Sequence, residues 1–180
     1  MILLVVSFLP AYLEENYPTL TTSDGAHMIA SFSIASIIFA PINGTIKNYM
    51  GAKNAIIFGF TVLTISTAGI GLAPFVKDPV LFKWIQCAMR FLQGQGDTML
   101  QVTGYSVICS VFSDNIMKYI GYIELCVGVG LTLGPVLGSI LYEHLHFQNT
   151  MFVFTGLCVV ATFLCIIFIP SALNETVNDK

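Results

Sequence analysis

The sequence predicts an all-α protein that crosses a membrane several times, and three observations carry that reading. Hydrophobic residues make up 56% of the 180 and charged ones only 9%, with a mean hydropathy of +0.82, whereas soluble domains carry about a quarter charged residues. The apolar residues gather into blocks of about twenty, the length a helix needs to cross roughly 30 Å of hydrocarbon. Short polar clusters separate the blocks, as turns between spans must be, because backbone inside lipid has to satisfy its own hydrogen bonds.

Met1–Leu13 is apolar but only about thirteen residues long, too short to span. The first basic residue is Lys47, so the start lacks the charged region of a signal peptide. It reads as the back half of a helix. Glu14, Glu15, Asn16, Pro18 and Asp24 form an acidic loop, and residues 27–46 the next span, with Ser31, Ser33 and Ser36 offering close packing and Pro41 a tolerated kink. Lys47–Asn54 is a short basic loop. Residues 55–73 form an uncharged span closed by Pro74, and Val76–Lys83 a polar turn.

Residues 84–110 follow, then a turn of Ser113, Asp114, Asn115 and Lys118, a fifth span over 120–141, and a polar loop of Glu143, His144, His146, Gln148 and Asn149. The sixth span, 151–169, stops at Pro170, and 171–180 is a polar tail. Alternation puts Lys47, Lys53, Lys118 and Lys180 on one side against Lys77 and Lys83 on the other, which places the Lys47–Lys53 loop and the C-terminus in the cytosol.

The span at 84–110 differs from the others. Gln86, Arg90, Gln93, Asp97 and Gln101 recur at steps of four, three, four and four, so they share one helix face. Arg90 is the only arginine in the chain. A charge within a bilayer costs a few kcal/mol even on lenient scales and normally faces a protein interior or a watery cavity. The stripe therefore reads as a transport pathway, the alternative being a packed ion pair or a hub of hydrogen bonds to carbonyls. Asp97 lies about 10 Å along the axis from Arg90, too far for a direct pair, and is a candidate proton site. Glu124, a turn inside the fifth span, reads equally as interfacial or functional. Gln93 and Gln101 would bind a substrate or a neighbouring helix.

Other chemistry is excluded or weak. The seven Lys and Arg are scattered singly, so no nucleic acid is expected. No nucleophile with a base, phosphate loop or paired carboxylate emerges, and neither enzyme, cofactor nor metal is expected. Cys87, Cys109, Cys126, Cys158 and Cys165 fall in apolar segments and read as small core hydrophobes. His27, His144 and His146 sit at membrane ends without a third metal ligand. The glycosylation sequons Asn43-Gly-Thr45 and Asn174-Glu-Thr176 fall in the cytosol and read as chance matches.

Three motifs resemble the major facilitator superfamily. Gly44-Thr-Ile-Lys-Asn48-Tyr-Met-Gly51-Ala-Lys53 is similar to the family's G-x-x-x-D-R/K-x-G-R-R/K loop, with Gly44 and Gly51 at the tight-turn positions, Lys53 as the last base, and Asn48 where the acid belongs. Arg90-Phe-Leu-Gln93-Gly94 resembles its R-x-x-Q-G. Gly130-Leu-Thr-Leu-Gly134-Pro135-Val-Leu-Gly138-Ser139 resembles the G-x-x-x-G-P-x-x-G-G of its antiporter branch, whose small residues imply close helix packing and whose proline implies a bend. Gly138-Ser-Ile-Leu-Tyr-Glu143 and Met50-Gly51-Ala52-Lys53 resemble the vesicular amine and polyamine transporters.

The resemblance implies the N-terminal six-helix half of a twelve-helix transporter, its first helix cut short, that exchanges organic cations for protons around a midplane site. Arg90, Gln93 and Asp97 would line the half-cavity, with Gln101 and Glu124 on the same pathway, in a vesicular, other endomembrane or plasma membrane. Its partners would be lipid, a small organic cation, protons, and a second six-helix half or another membrane subunit. The alternative is a structural or accessory membrane subunit, or a fragment, that does not transport.

Overall fold

The computed structural model describes residues 9–10, 12–171 and 173–174. The rest of the expected partial span at 1–13 and most of the tail lie outside the described residues. Among those described, every regular element is helical. Residues 12–16 form a helical stub. Helix α1 is Thr22–Met50, α2 Ala52–Leu72 and α3 Pro79–Val111, with 3-10 turns at Ala73–Phe75 and Ser113–Asn115. A helical run from Ile116 to Phe168 is broken at His146, whose φ of 60° and ψ of 173° are not helical. Its arms, 116–145 and 147–168, are called α4 and α5.

Local chemistry explains the ends. The Thr21 amide donates to Asp24 Oδ2 at 2.9 Å, starting α1. Asp78 caps α3 by accepting from the Val80 and Leu81 amides at 2.9 and 3.4 Å, and Pro79 occupies the first helical position, where no amide hydrogen is needed. Gly51 alone separates α1 from α2, with φ 80°. The expected loop at Lys47–Asn54 is thus compressed to one residue. Gly44 does not mark a tight turn: it lies inside α1, with open space beside it. Its neighbours keep their helical bonds until Gly51 supplies the positive φ that other residues resist.

The helices run up and down. At one end, the Glu15 end, Lys83 Nζ meets Asp24 Oδ1 at 2.6 Å and Tyr17 donates to the Val76 carbonyl at 2.7 Å. At the other, the Gly51 end, Lys47 Nζ reaches Ser106 Oγ at 2.6 Å and the Lys53 amide donates to Asn174 Oδ1 at 2.8 Å. Tyr105 on α3 donates to Glu124 on α4, and Met151 on α5 lies beside Gly71 on α2. So α4 runs back toward the Glu15 end and α5 returns from it. The reversal expected over Glu143–Asn149 is present, but it needs only His146, and the polar residues around it stay helical.

The described core lies at the Glu15 end. Leu13, Met28, Ile70, Phe82 and Met151 pack with stacked pairs Tyr17–Phe82 and Tyr12–Phe147, each with ring centroids 4.4 Å apart. Three helical stretches are long and apolar enough to cross a membrane: Ser23–Met50, Ala52–Phe75 and Ser113–Phe168. Helix α3, 33 residues, is long enough but less apolar because of its stripe. Outward faces carry Ile37, Leu125, Val136, Phe163 and Ile167, all exposed, as lipid or a membrane partner would require.

Candidate functional site

Helix α3 is the centre of the bundle, packed on α1 along one side and on α2 along the other. Glycines set how close they come. A Cβ at Gly94 would collide with the Phe32 carbonyl of α1, and one at Gly96 would stand 2.9 Å from the Gly59 carbonyl of α2. The reverse holds too, since a Cβ at Gly59 would lie 3.1 Å from the Gly96 carbonyl. Between these contacts Asn43 of α1, fully buried, donates to the Gln95 carbonyl at 3.2 Å and accepts from Gln95 Nε2 at 3.4 Å. Buried there, Asn43 is no acceptor for a glycan. These polar contacts inside apolar helices hold α3 in one register.

The stripe divides into two parts. Arg90 is 1% exposed, and its Nη1 donates to Gln93 Oε1 at 2.9 Å. Gln93 Nε2 donates to Thr67 Oγ1 at 3.3 Å, and the Thr67 hydroxyl donates to the Leu63 carbonyl at 2.7 Å. A relay of four groups therefore fixes the guanidinium to α2. Arg90 Nε and Nη2 and both ends of the buried Gln86 amide have no protein partner. No described carboxylate pairs with Arg90, the one described salt bridge being Lys83–Asp24.

Asp97 and Gln101 face the second part. A cleft of about 390 Å³ opens between α1 and α3, lined by Phe32, Ser36, Asp97, Thr98, Gln101 and Tyr105, with Ile37, Ala40 and Val102 completing it. Asp97 accepts from Gln101 Nε2 at 2.7 Å, one turn along the helix. Tyr105, on the cleft wall, donates to Glu124, which is exposed at the start of α4. The structure thus brings Asp97, Gln101 and, through Tyr105, Glu124 to one cleft, and sets Arg90 and Gln93 apart in a buried relay. The charged groups of this cleft and its hydrogen-bonded neighbour are carboxylates. Such a surface accepts cations and protons and disfavours anions.

The third motif behaves differently from the expected close packing. Gly138 is buried, but Gly130 and Gly134 meet no atom within 4 Å, and Pro135 lies inside the helix among exposed Leu133, Val136 and Leu137. Within the described residues the approaches of helix backbone to helix backbone belong to Gly59, Gly94 and Gly96 instead. Sequence reasoning also missed three site residues: Tyr105 continues the four-residue step of the stripe beyond Gln101 but, as an aromatic, was not counted with it, while Ser36, read only as a packing surface, and Thr67 lie on neighbouring helices. No group of three or more potential metal ligands occurs among the described residues.

Comparison with known proteins agrees with this architecture. The multidrug resistance protein Stp of Mycobacterium tuberculosis is 23% identical over 150 residues, covering 82% of this chain and 27% of that protein. The quinolone resistance protein NorA of Staphylococcus aureus is 28% identical over 178 residues, covering 97% and 43%. The riboflavin transporter RibZ of Clostridioides difficile is 25% identical over 138 residues, covering 76% and 29%. The chain therefore spans less than half the length of these relatives. By their names they are drug-resistance proteins and a riboflavin transporter, so the likeness to amine and polyamine transporters rests on the motifs alone. The sequence profile of one family covers residues 1–180, and the chain belongs to the Major Facilitator Superfamily.

Proposed function

We propose that this chain forms the N-terminal six-helix half of a secondary transporter that exchanges organic cations, amines or polyamines among them, for protons. The observation that carries the reading is the cleft between α1 and α3, where Asp97 stands within reach of solvent beside Gln101, Tyr105 and Ser36. An ionised Asp97 attracts a cation, and a proton taken up by the same carboxylate removes the attraction and releases it. Arg90 sits outside the cleft: its buried charge, held by Gln93 and Thr67, lies about 10 Å along the axis from Asp97 and anchors α3, which carries that carboxylate, to α2. Glu124, bonded to Tyr105, holds the mouth of the cleft. A second half, or another membrane subunit, would close the far wall and rock against this one. The lysine distribution favours a cytosolic Gly51 end, and the membrane is vesicular, another endomembrane or the plasma membrane.

The test is proton-driven uptake of labelled amines and polyamines into proteoliposomes, with Asp97→Asn and Arg90→Ala alongside. Gradient-dependent uptake that Asp97→Asn lowers by at least about tenfold supports the reading. Undiminished uptake in that variant sinks it. A chain that inserts correctly and moves nothing, in any partner context, marks a structural or accessory subunit.

A further inference from the structure

A second polar pocket lies far from the cleft, at the Glu15 end. It holds about 310 Å³ where the helical stub meets the α4–α5 reversal, and its walls are Tyr12, Glu15, Asn16, Tyr142, Gln148 and the segment around His146. Tyr12 is braced from behind by stacking on Phe147, with ring centroids 4.4 Å apart, and by an edge contact with Tyr17 at 6.2 Å. Glu15 is the one formally charged side chain in this lining, and it is exposed to the pocket mouth. Glu14 and Glu143, both exposed nearby in sequence, add charge of the same sign. Of the two lysines at this end, Lys83 is engaged by Asp24 and neither lines the pocket. The end of α4 and the start of α5 meet at His146, so their opposed dipoles offset one another and Glu15 sets the sign.

We propose that this pocket is a surface binding site for organic ammonium ions, separate from the central cleft. A carboxylate, two tyrosine rings and the amide oxygen of Gln148 are the groups that replace the hydration of an alkylammonium. Aromatic faces attract such cations through their quadrupole, and the carboxylate supplies the net charge. An anion gains no counter-charge here, and a metal ion finds too few ligands of the right kind. The site goes beyond the cleft reading and does not depend on it, because the two pockets share no residue.

The experiment places a reporter at the exposed Asn16. In the full chain carrying Asn16→Cys, in nanodiscs, reaction rates are measured with a cationic and an anionic methanethiosulfonate, with the parent chain's cysteines as background. The cationic reagent is expected to react several-fold faster, and Glu15→Gln to bring the two rates together. Benzyltrimethylammonium is expected to slow labelling saturably, sodium chloride at equal ionic strength is not, and Glu15→Gln is expected to abolish that protection. Glu15 is exposed outside the core, so this variant leaves the fold intact. Equal rates for both reagents, protection that never saturates, or protection that survives Glu15→Gln overturns the site. Asp97→Asn separates the two proposals: it removes uptake if the cleft reading holds, and in either case leaves protection at Asn16 unchanged.

Discussion

Single side chains decide how the stripe works. Thr67 is the acceptor that links Gln93, and with it Arg90, to α2. Thr67→Val keeps the volume and removes a buried hydroxyl, leaving the Gln93 amide short of a partner. It is expected to cost about 1–3 kcal/mol, read as a lower midpoint of thermal unfolding in detergent, with cation binding in the cleft retained. Lys47, 6% exposed at the far end of α1, is held by Ser106. Ser106→Ala takes that acceptor from a buried ammonium and is expected to destabilise the chain more than the same change at exposed Ser23, measured the same way. The membership of the stripe was legible from spacing alone, because one helix face needs no tertiary information. Its division was not: whether Asp97 is open and Arg90 sealed depends on α1 and α2, whose positions the spacing does not contain.

At the scale of elements, caps and crossings carry the energetics. Asp78→Ala removes the acceptor of both first-turn amides at the start of α3 and is expected to cost about 1 kcal/mol, with faster hydrogen exchange confined to the first turn. Gly96→Ala drives a methyl toward the Gly59 carbonyl, backbone that cannot move aside, and is expected to cost about 1–3 kcal/mol. Gly104→Ala, where space is open, serves as its control. Asp24, in the first turn of α1 ahead of the apolar run, is held well below the usual carboxylate range by the Lys83 ammonium and the Thr21 amide. A depressed folded value means that its contribution is present above the unfolded value of about 3.9 and fades as pH falls below it. The stability gap between the parent and Asp24→Asn should therefore be constant near neutrality and narrow only below about pH 4. Among the boundaries, the start of α3 carries its signal in the pair Asp78-Pro79, a cap and a first-turn proline, yet the polar residues of Val76–Lys83 read as a turn and put the start at 84, five residues late. The reversal at His146 could not be placed, since five polar residues within the seven of Glu143–Asn149 look like a loop whether or not their backbone stays helical.

For the whole molecule, the contacts at the two ends fix a topology that labelling can check. Cysteines placed at Asn54 and Ser171 should react with an impermeant reagent from one side of sealed vesicles, and one at Glu15 from the other. A membrane fold was plain from composition, because no soluble chain leaves so few charges. The tiers of contact inside it were less so: the glycine-rich fifth span looked like the tight crossing, yet the crossings of backbone on backbone lie at Gly59, Gly94 and Gly96.

That clamp has a mechanical meaning. Helix α3 is gripped from both flanks at one level, and Asp97 sits one residue past the grip. It behaves as an axle fixed in its bearings, unable to slide or roll without tearing two backbone contacts. Under the proposed exchange mechanism, a change of access would then fall to the wall opposite, swinging past a carboxylate that stays where it is.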